Sequence, residues 1–428
     1  MTTLPRRALL GTFAAAATAA GLAGCNPNQG GGSSQDLRIS WYGGQPVHEG
    51  MEGALDAFSQ DHPDLQMTTE KAPFDDYWDK LATQVAGGEG PDLIRMSMSW
   101  FLEYAERGAL LDLESYAGDA IDLTALDEEA GESGRTDDGL FGVGQSSITQ
   151  ATFRNPQLAA EYGLDLPETW AWTDFTEFCR EFAETAGPGK YGATDSGGDM
   201  QLFGVWARQH GTDLFDGQDL AVEADVIEEW WAMWQELRDD GAVPPPEVTL
   251  ESSGFEQSQF ATLNAVITSG WVQQATFYQP VMPDHPLEVT DVPGLTAGAL
   301  DGQFLKALDL WCVLSSAKNP DGAAELIDFL LNEPAAATSI GVTLGVPPSQ
   351  AARDALELPD DSAEGKAIAY VESVRGRTGP PPAPWPTGYG ALQGSEFPRF
   401  NEAVAFGSST PAQAAAEFHE FARTALNG

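Results

Sequence analysis

The chain has 428 residues, 42% of them apolar, which suffices for two or three packed units and excludes a disordered chain despite 46 Gly and 28 Pro. Lys and Arg number 21 against 65 Asp and Glu, a formal net charge of −44. Such a chain repels nucleic acid and anionic lipid, and no cationic patch stands out to reverse this, so the charge reads as the solvated surface of an exported protein.

Pro5, Arg6 and Arg7 precede an apolar run over residues 8–22. A helix of that length spans about 22 Å, short of the ~30 Å hydrocarbon core, so the run reads as a secretory signal and not a membrane span. Leu22-Ala23-Gly24-Cys25 fits the cleavage motif of bacterial lipoproteins, whose Cys is lipidated and becomes the mature N-terminus. The paired Arg residues point to twin-arginine export, although ordinary signals also carry basic pairs. Residues 26–35, with Gly30, Gly31 and Gly32, form a flexible tether. The two other cysteines, Cys179 and Cys312, sit among apolar residues and read as buried small hydrophobes, with a disulfide between them as the alternative.

Residues 37–41 alternate and predict a strand, and Pro46 is placed to open a helix with Val47, Met51, Leu55 and Phe58 at helical spacing. Residues 65–69 predict a second strand, and Phe74, Trp78, Leu81 and Val85 a second helix. Gly87, Gly88 and Gly90 end that helix, and Pro91 bars its resumption. Residues 92–96 then read as a short buried strand. Ser99 is expected to cap a helix that buries Phe101 and Tyr104 and stops before Gly108. A βαβα start of this kind implies a parallel sheet covered by helices. The loops 41–45 and 97–100 leave the same carboxyl edge of that sheet, where open α/β sheets take a ligand.

With these residues in hand, the chain resembles the extracellular solute-binding proteins of ABC importers, in the carbohydrate-binding, maltose-binding-protein-like group. The Gly-rich turn before Pro91-Asp92 and the helix stop at Gly108 carry the likeness first. Further matches follow in the family's order: Pro167-Glu168-Thr169-Trp170, the segment 255–271, the string Ser316-Ala317-Lys318-Asn319-Pro320 with its continuation to Leu330, and Gly345-Val346-Pro347. Arg154 departs from the pattern, standing where the family usually has Tyr. The resemblance implies an α/β fold of two lobes, each a mainly parallel sheet flanked by helices, with the ligand cleft between them. Residues 36–144 and 304–345 would form the first lobe, and 145–303 and 346–428 the second.

Beyond the first crossing, the run 145–150 holds too many hydroxyls and amides for an ordinary core strand, and reads as a cleft-lining or an exposed edge strand. Ile227, Trp230, Trp231, Trp234 and Leu237 make a helical stripe that reads as core, not as a sugar platform. Trp271 instead ends a strand. Residues 305–316 predict a long apolar strand, which the resemblance implies re-enters the first lobe, and Asn319 with Pro320 predicts a capped helix start. Residues 380–386 are rigid and extended, with Trp385 among the prolines. Thr410 to Gln413 is a capping box for a last helix that buries Phe418 and Phe421.

No P-loop, metal-ligand spacing, nucleophile elbow or dinucleotide fingerprint is found, and the five His are scattered, with His48 reading as a surface helix-start residue. No cofactor, metal or catalytic group is therefore assigned. A sugar offers a C–H face and a rim of hydroxyls, each of which must be paired when buried. Trp41, Tyr42, Trp100, Trp271 and Trp385 supply flat faces. Gln45, Ser97, Ser99, Gln145, Asp195 and Gln303 supply rim partners. The resemblance implies a monomeric lipoprotein outside the membrane that captures a carbohydrate by hinge closure and delivers it to ABC permease subunits. A secreted glycoside-active enzyme, or a binder of peptides or polyamines, is the alternative.

Overall fold

The computed structural model describes residues 36–252 and 254–427. The leader, Cys25 and the tether lie outside them.

In chain order, β1 (Asp36–Tyr42) leads through Gly43 and Gly44 into α1 (Gln45–Asp61). β2 (Gln66–Ala72), α2 (Phe74–Ala86) and β3 (Leu93–Ser97) follow. α3 (Met98–Glu106) is capped by Ser97, whose hydroxyl accepts from the Ser99 amide, so the helix starts two residues earlier than expected. Alternation puts Leu37, Ile39 and Trp41 on one face of β1, and all three are fully buried against α1 and its neighbours.

The strand β4 (Val143–Gly144) precedes the run 145–149, and β5 (Gln150–Arg154) follows it. Then come α4 (Trp172–Ala186), β6 (Tyr191–Ala193), α5 (Met200–Gln209), α6 (Ala224–Asp239), β7 (Ala265–Trp271) and β8 (Glu288–Thr290). The Trp stripe of α6 is core as expected. Trp230 and Trp231 are fully buried, and both indoles donate to Gly197 O at 3.0 and 3.1 Å. β9 (Asp309–Val313) returns to the first sheet, followed by α7 (Pro320–Asn332), α8 (Pro334–Ile340) and α9 (Gln350–Ala355). α9 packs on α7 and α8, so the chain stays with the first sheet for some residues past position 345. α10 (Ala363–Val374), α11 (Phe397–Ala405) and α12 (Pro411–Leu426) belong with the second sheet. α12 buries Phe418 but leaves Phe421 exposed.

The first sheet has the order β2-β1-β3-β9-β4 and the second β8-β5-β7-β6. Both are mixed, against the expectation of mainly parallel sheets. β9 runs antiparallel to β3 and β4, and β5 antiparallel to β7 and β8. The physical reason is the crossing itself: β5 and β9 enter their sheets from the other lobe, and so run against strands built by helical crossovers. Between the lobes, Ser147 pairs with Val346 and Ile148 with Lys306. These three backbone segments form the hinge. The run 145–150 is thus neither cleft wall nor exposed edge, but buried hinge, with Ser147 and Thr149 fully enclosed. Cys179 and Cys312 are buried free thiols, not a disulfide. Among the described residues no helix is long and apolar enough to cross a membrane.

Candidate ligand cleft between the lobes

Phe74 and Trp78 stand four residues apart at the start of α2, and so share a face. α3 brings Trp100 onto that face, where its ring stacks on Trp78 with centroids 4.3 Å apart and planes 17° apart. Phe74 meets Trp100 edge-on at 5.6 Å and Tyr42 at 5.0 Å. The result is an aromatic ridge along the carboxyl edge of the first sheet, with Phe74 40% exposed and Trp100 half-buried. Beneath it, Arg95 holds the ridge in place. Its guanidinium pairs with Asp309 at 2.7 Å, donates to Tyr42 O at 2.7 Å, and lies 4.3 Å from the centre of the Tyr42 ring. The Tyr42 hydroxyl donates to Asp309. Burial and the Asp309 charge push the phenol well above its ordinary range, so Tyr42 stays a neutral donor.

The second lobe presents a proline-rich strap, residues 379–386, followed by Tyr389. Trp385 stacks on Tyr389 at 4.3 Å. Trp271, at the end of β7, donates its indole N–H to Gln201 Oε1 at 2.6 Å. Gln201, Trp271, Phe304, Trp385 and Tyr389 enclose a small cavity of about 50 Å³ under the strap.

The two walls touch. Ser99 Oγ donates to Gln393 Oε1 at 2.8 Å, and Thr387 Oγ1 to Glu106 at 3.0 Å. Trp100 lies flat against Gly390, where a Cβ would come within 2.7 Å of the indole; only glycine admits the ring there. On the hinge side of this junction a groove of about 400 Å³ separates the lobes, lined by Met98, Glu129, Lys306, Arg375 and Pro384 among others. Of its carboxylates, Glu129 pairs with Arg375 at 2.7 Å, and Arg375 also holds the neighbouring Asp127 at 2.9 Å. A further cavity of about 470 Å³ lies in the second lobe alone, between the β6–α5 loop and α11, with Asp195, Thr268 and Asn401 in its wall.

The predicted site residues divide accordingly. Tyr42, Ser99, Trp100, Trp271 and Trp385 come to the junction or its margins. Ser97 is the helix cap behind it. Gln45 sits exposed at the start of α1, bonded to Glu49 at 2.7 Å. Trp41 is core, its N–H on His48 Nδ1 at 3.1 Å. Gln145 is buried, donating to Asp309 and to Leu344 O. Gln303 is fully buried, donating to Gln150 O at 2.8 Å and Tyr370 Oη at 3.1 Å. Asp195 is spent on Arg238 in a buried two-point pair at 2.7 and 2.9 Å. These last four are framework: Trp41 is no sugar platform because its ring is fully buried, and Gln145, Gln303 and Asp195 are no rim partners because their side chains are buried and bonded within the protein. Sequence reasoning missed Phe74 and Trp78, which read as part of a helical core stripe, and Gln201, Tyr389 and Gln393, which carry no motif. A glycine facing a Trp, as at Gly390, is a signal visible only once the lobes are docked.

Apart from the Glu106 carboxylate at its margin, the junction joins broad aromatic faces to neutral hydroxyls and amides, the complement of a polyol ring. Residues 53–369 match the family described as bacterial extracellular solute-binding protein. An uncharacterized lipoprotein of Streptomyces antibioticus, from the oleD 5′ region, is 25% identical over 333 residues, covering 72% of this chain and 70% of that one. The extracellular solute-binding protein family 1 structure from Alicyclobacillus acidocaldarius is 26% identical, with a TM-score of 0.71 over 92% of this chain and 98% of that chain. The periplasmic oligogalacturonide binding protein of Yersinia enterocolitica, in complex with saturated digalacturonic acid, is similar in fold, with 22% identity and a TM-score of 0.78 over 92% and 98% of the two chains.

Proposed function

Because the chain belongs to the bacterial extracellular solute-binding proteins, we propose that it captures a neutral carbohydrate, an oligosaccharide, between its lobes and hands it to an ABC permease without altering it. The observation that carries this reading is the ridge of Phe74, Trp78 and Trp100 on one lobe, which meets the other through Trp100 on Gly390 and Ser99 on Gln393, beside the stacked rings of Trp385 and Tyr389. Stacked rings suit the C–H face of a sugar, and hydroxyl and amide groups its rim. Arg95 and Arg375, which an anionic ligand would need, are already paired with carboxylates. The Yersinia protein of similar fold binds an oligogalacturonide, which supports a saccharide as the ligand class.

A thermal-shift screen against neutral mono- and oligosaccharides tests the reading. A sugar at 100 times its dissociation constant stabilises by about 2.7 kcal/mol. The bound sugar should be recovered unchanged after long incubation. No shift with any saccharide, or turnover that disappears on replacing one carboxylate, would sink the proposal. The anchor is part of the same reading: Cys25 carries the lipid and holds the protein at the outer face of the membrane. Cys25→Ser should release it into the medium or block its processing, read by fractionation and mass spectrometry.

A further inference from the structure

Residues 379–386 read Gly-Pro-Pro-Pro-Ala-Pro-Trp-Pro. Five of the eight are proline and have no amide hydrogen, so beyond Gly379, whose amide donates to Gln303 O at 3.1 Å, the strap cannot pair as a strand, and its inward carbonyls need donors from elsewhere. Two cations provide them. Arg208 Nη2 donates to Pro380 O at 2.7 Å. Lys306 Nζ donates to Pro382 O and to Ala383 O, each at 3.2 Å, and lies 4.9 Å from the centre of a Trp385 ring. The backbone of Lys306 meanwhile exchanges both its hydrogen bonds with Ile148, at 3.0 and 3.1 Å, in the hinge. Only 3% of the residue is exposed. Lys306 thus belongs to the hinge by its backbone and to the strap by its side chain.

We propose that Lys306 is a positioning residue that fastens Trp385 to the hinge, so that the strap and its indole turn with the hinge strand as the lobes open and close. The fastening is electrostatic: a cation shared between two carbonyl dipoles and an aromatic face is held more firmly than a neutral amine would be. Burial lowers the ammonium to about 7; Arg208 adds to the lowering and Asp213 opposes it. Glu128, Glu129, Glu132, Arg135 and Arg375 face it across the groove. Its charge is present below about 7 and lost above, so the strap should loosen as pH rises through neutrality.

The test needs no ligand, and so fails or succeeds apart from the carbohydrate reading. The protein is labelled with 5-fluorotryptophan and the Trp385 resonance assigned with Trp385→Phe. Fluorine spectra are then recorded from about pH 5.5 to about pH 9. The Trp385 signal should shift and change in width with one midpoint near neutrality in the wild type. It should be flat across the range in Lys306→Met, and flat in the always-charged Lys306→Arg at the low-pH width. A wild-type signal that does not titrate overturns the proposal, as does a titration that persists in either variant. Should Lys306→Met fail to fold, Lys306→Arg alone decides.

Discussion

Trp100 and Trp231 carry the same side chain in opposite surroundings. Trp100 is half-buried on the ridge, and Trp231 is enclosed with its N–H on Gly197 O. Trp100→Ala should weaken binding of a sugar found in the thermal-shift screen by about 1–3 kcal/mol, from the value of burying a large apolar side chain. Trp231→Ala should cost about 3–5 kcal/mol of stability and leave affinity nearly unchanged. Calorimetric titration together with denaturation curves separates the two effects, and a stable Trp231 variant that cannot bind would move the site onto α6. The pair Asp195–Arg238 makes a second residue-scale case, since both side chains are only 3% exposed. Asp195→Asn strands a buried guanidinium, and urea denaturation should report a loss of about 3–5 kcal/mol. Glu70 gives the pH case. Burial raises its carboxyl, but hydrogen bonds from Lys80, Gln84 and Arg38 outweigh it and hold the group at about 2. A depressed carboxyl contributes stability above its unfolded value, near 4.3, that is lost as pH falls toward 2. Glu70→Gln should flatten that part of the acid limb in melting temperature against pH.

Helix starts were the most legible elements. Thr410 accepts from the Gln413 amide while the Gln413 side chain returns to the Thr410 amide, the reciprocal pair that Thr-Pro-Ala-Gln announces. Thr410→Ala should cost about 1 kcal/mol, measured by chemical denaturation. Asn319 with Pro320 was equally readable. Ser97 was misjudged in favour of Ser99 because either serine could cap the same turn, and only the strand's length decides which one leaves it. The hinge run 145–150 failed for a deeper reason. Polar side chains mark contact with water, with ligand or with other buried polar groups alike, and composition does not say which. Trp41 was recoverable: strand alternation already grouped it with Leu37 and Ile39, and that grouping outweighs its closeness to a loop. The antiparallel placing of β5 and β9 depended on where the chain crosses between lobes, which is a property of the pairing and not of any local pattern.

At the scale of the molecule, Arg375, at the end of α10 in the second lobe, grips Asp127 and Glu129 of the first. Arg375→Met should let the lobes part more often, seen as a larger radius of gyration in small-angle scattering at low salt. Added salt should narrow the difference from wild type, because screening weakens the wild-type contact as well. An unchanged radius at every ionic strength would show that the pair does not bear on closure. The placing of β9 has a separate consequence, for how the molecule comes into being. β9 fills the gap between β3 and β4, and the Arg95–Asp309 pair it makes closes a loop of 214 residues. During synthesis all four strands of the second sheet must emerge before the first sheet acquires the strand that joins β3 to β4. The nascent first lobe therefore remains an open-edged intermediate for most of translation, and the closing step carries the entropy of a very long loop. A chain built this way completes its first core late, and until β9 is made the exposed edge of β3 needs shielding from other chains.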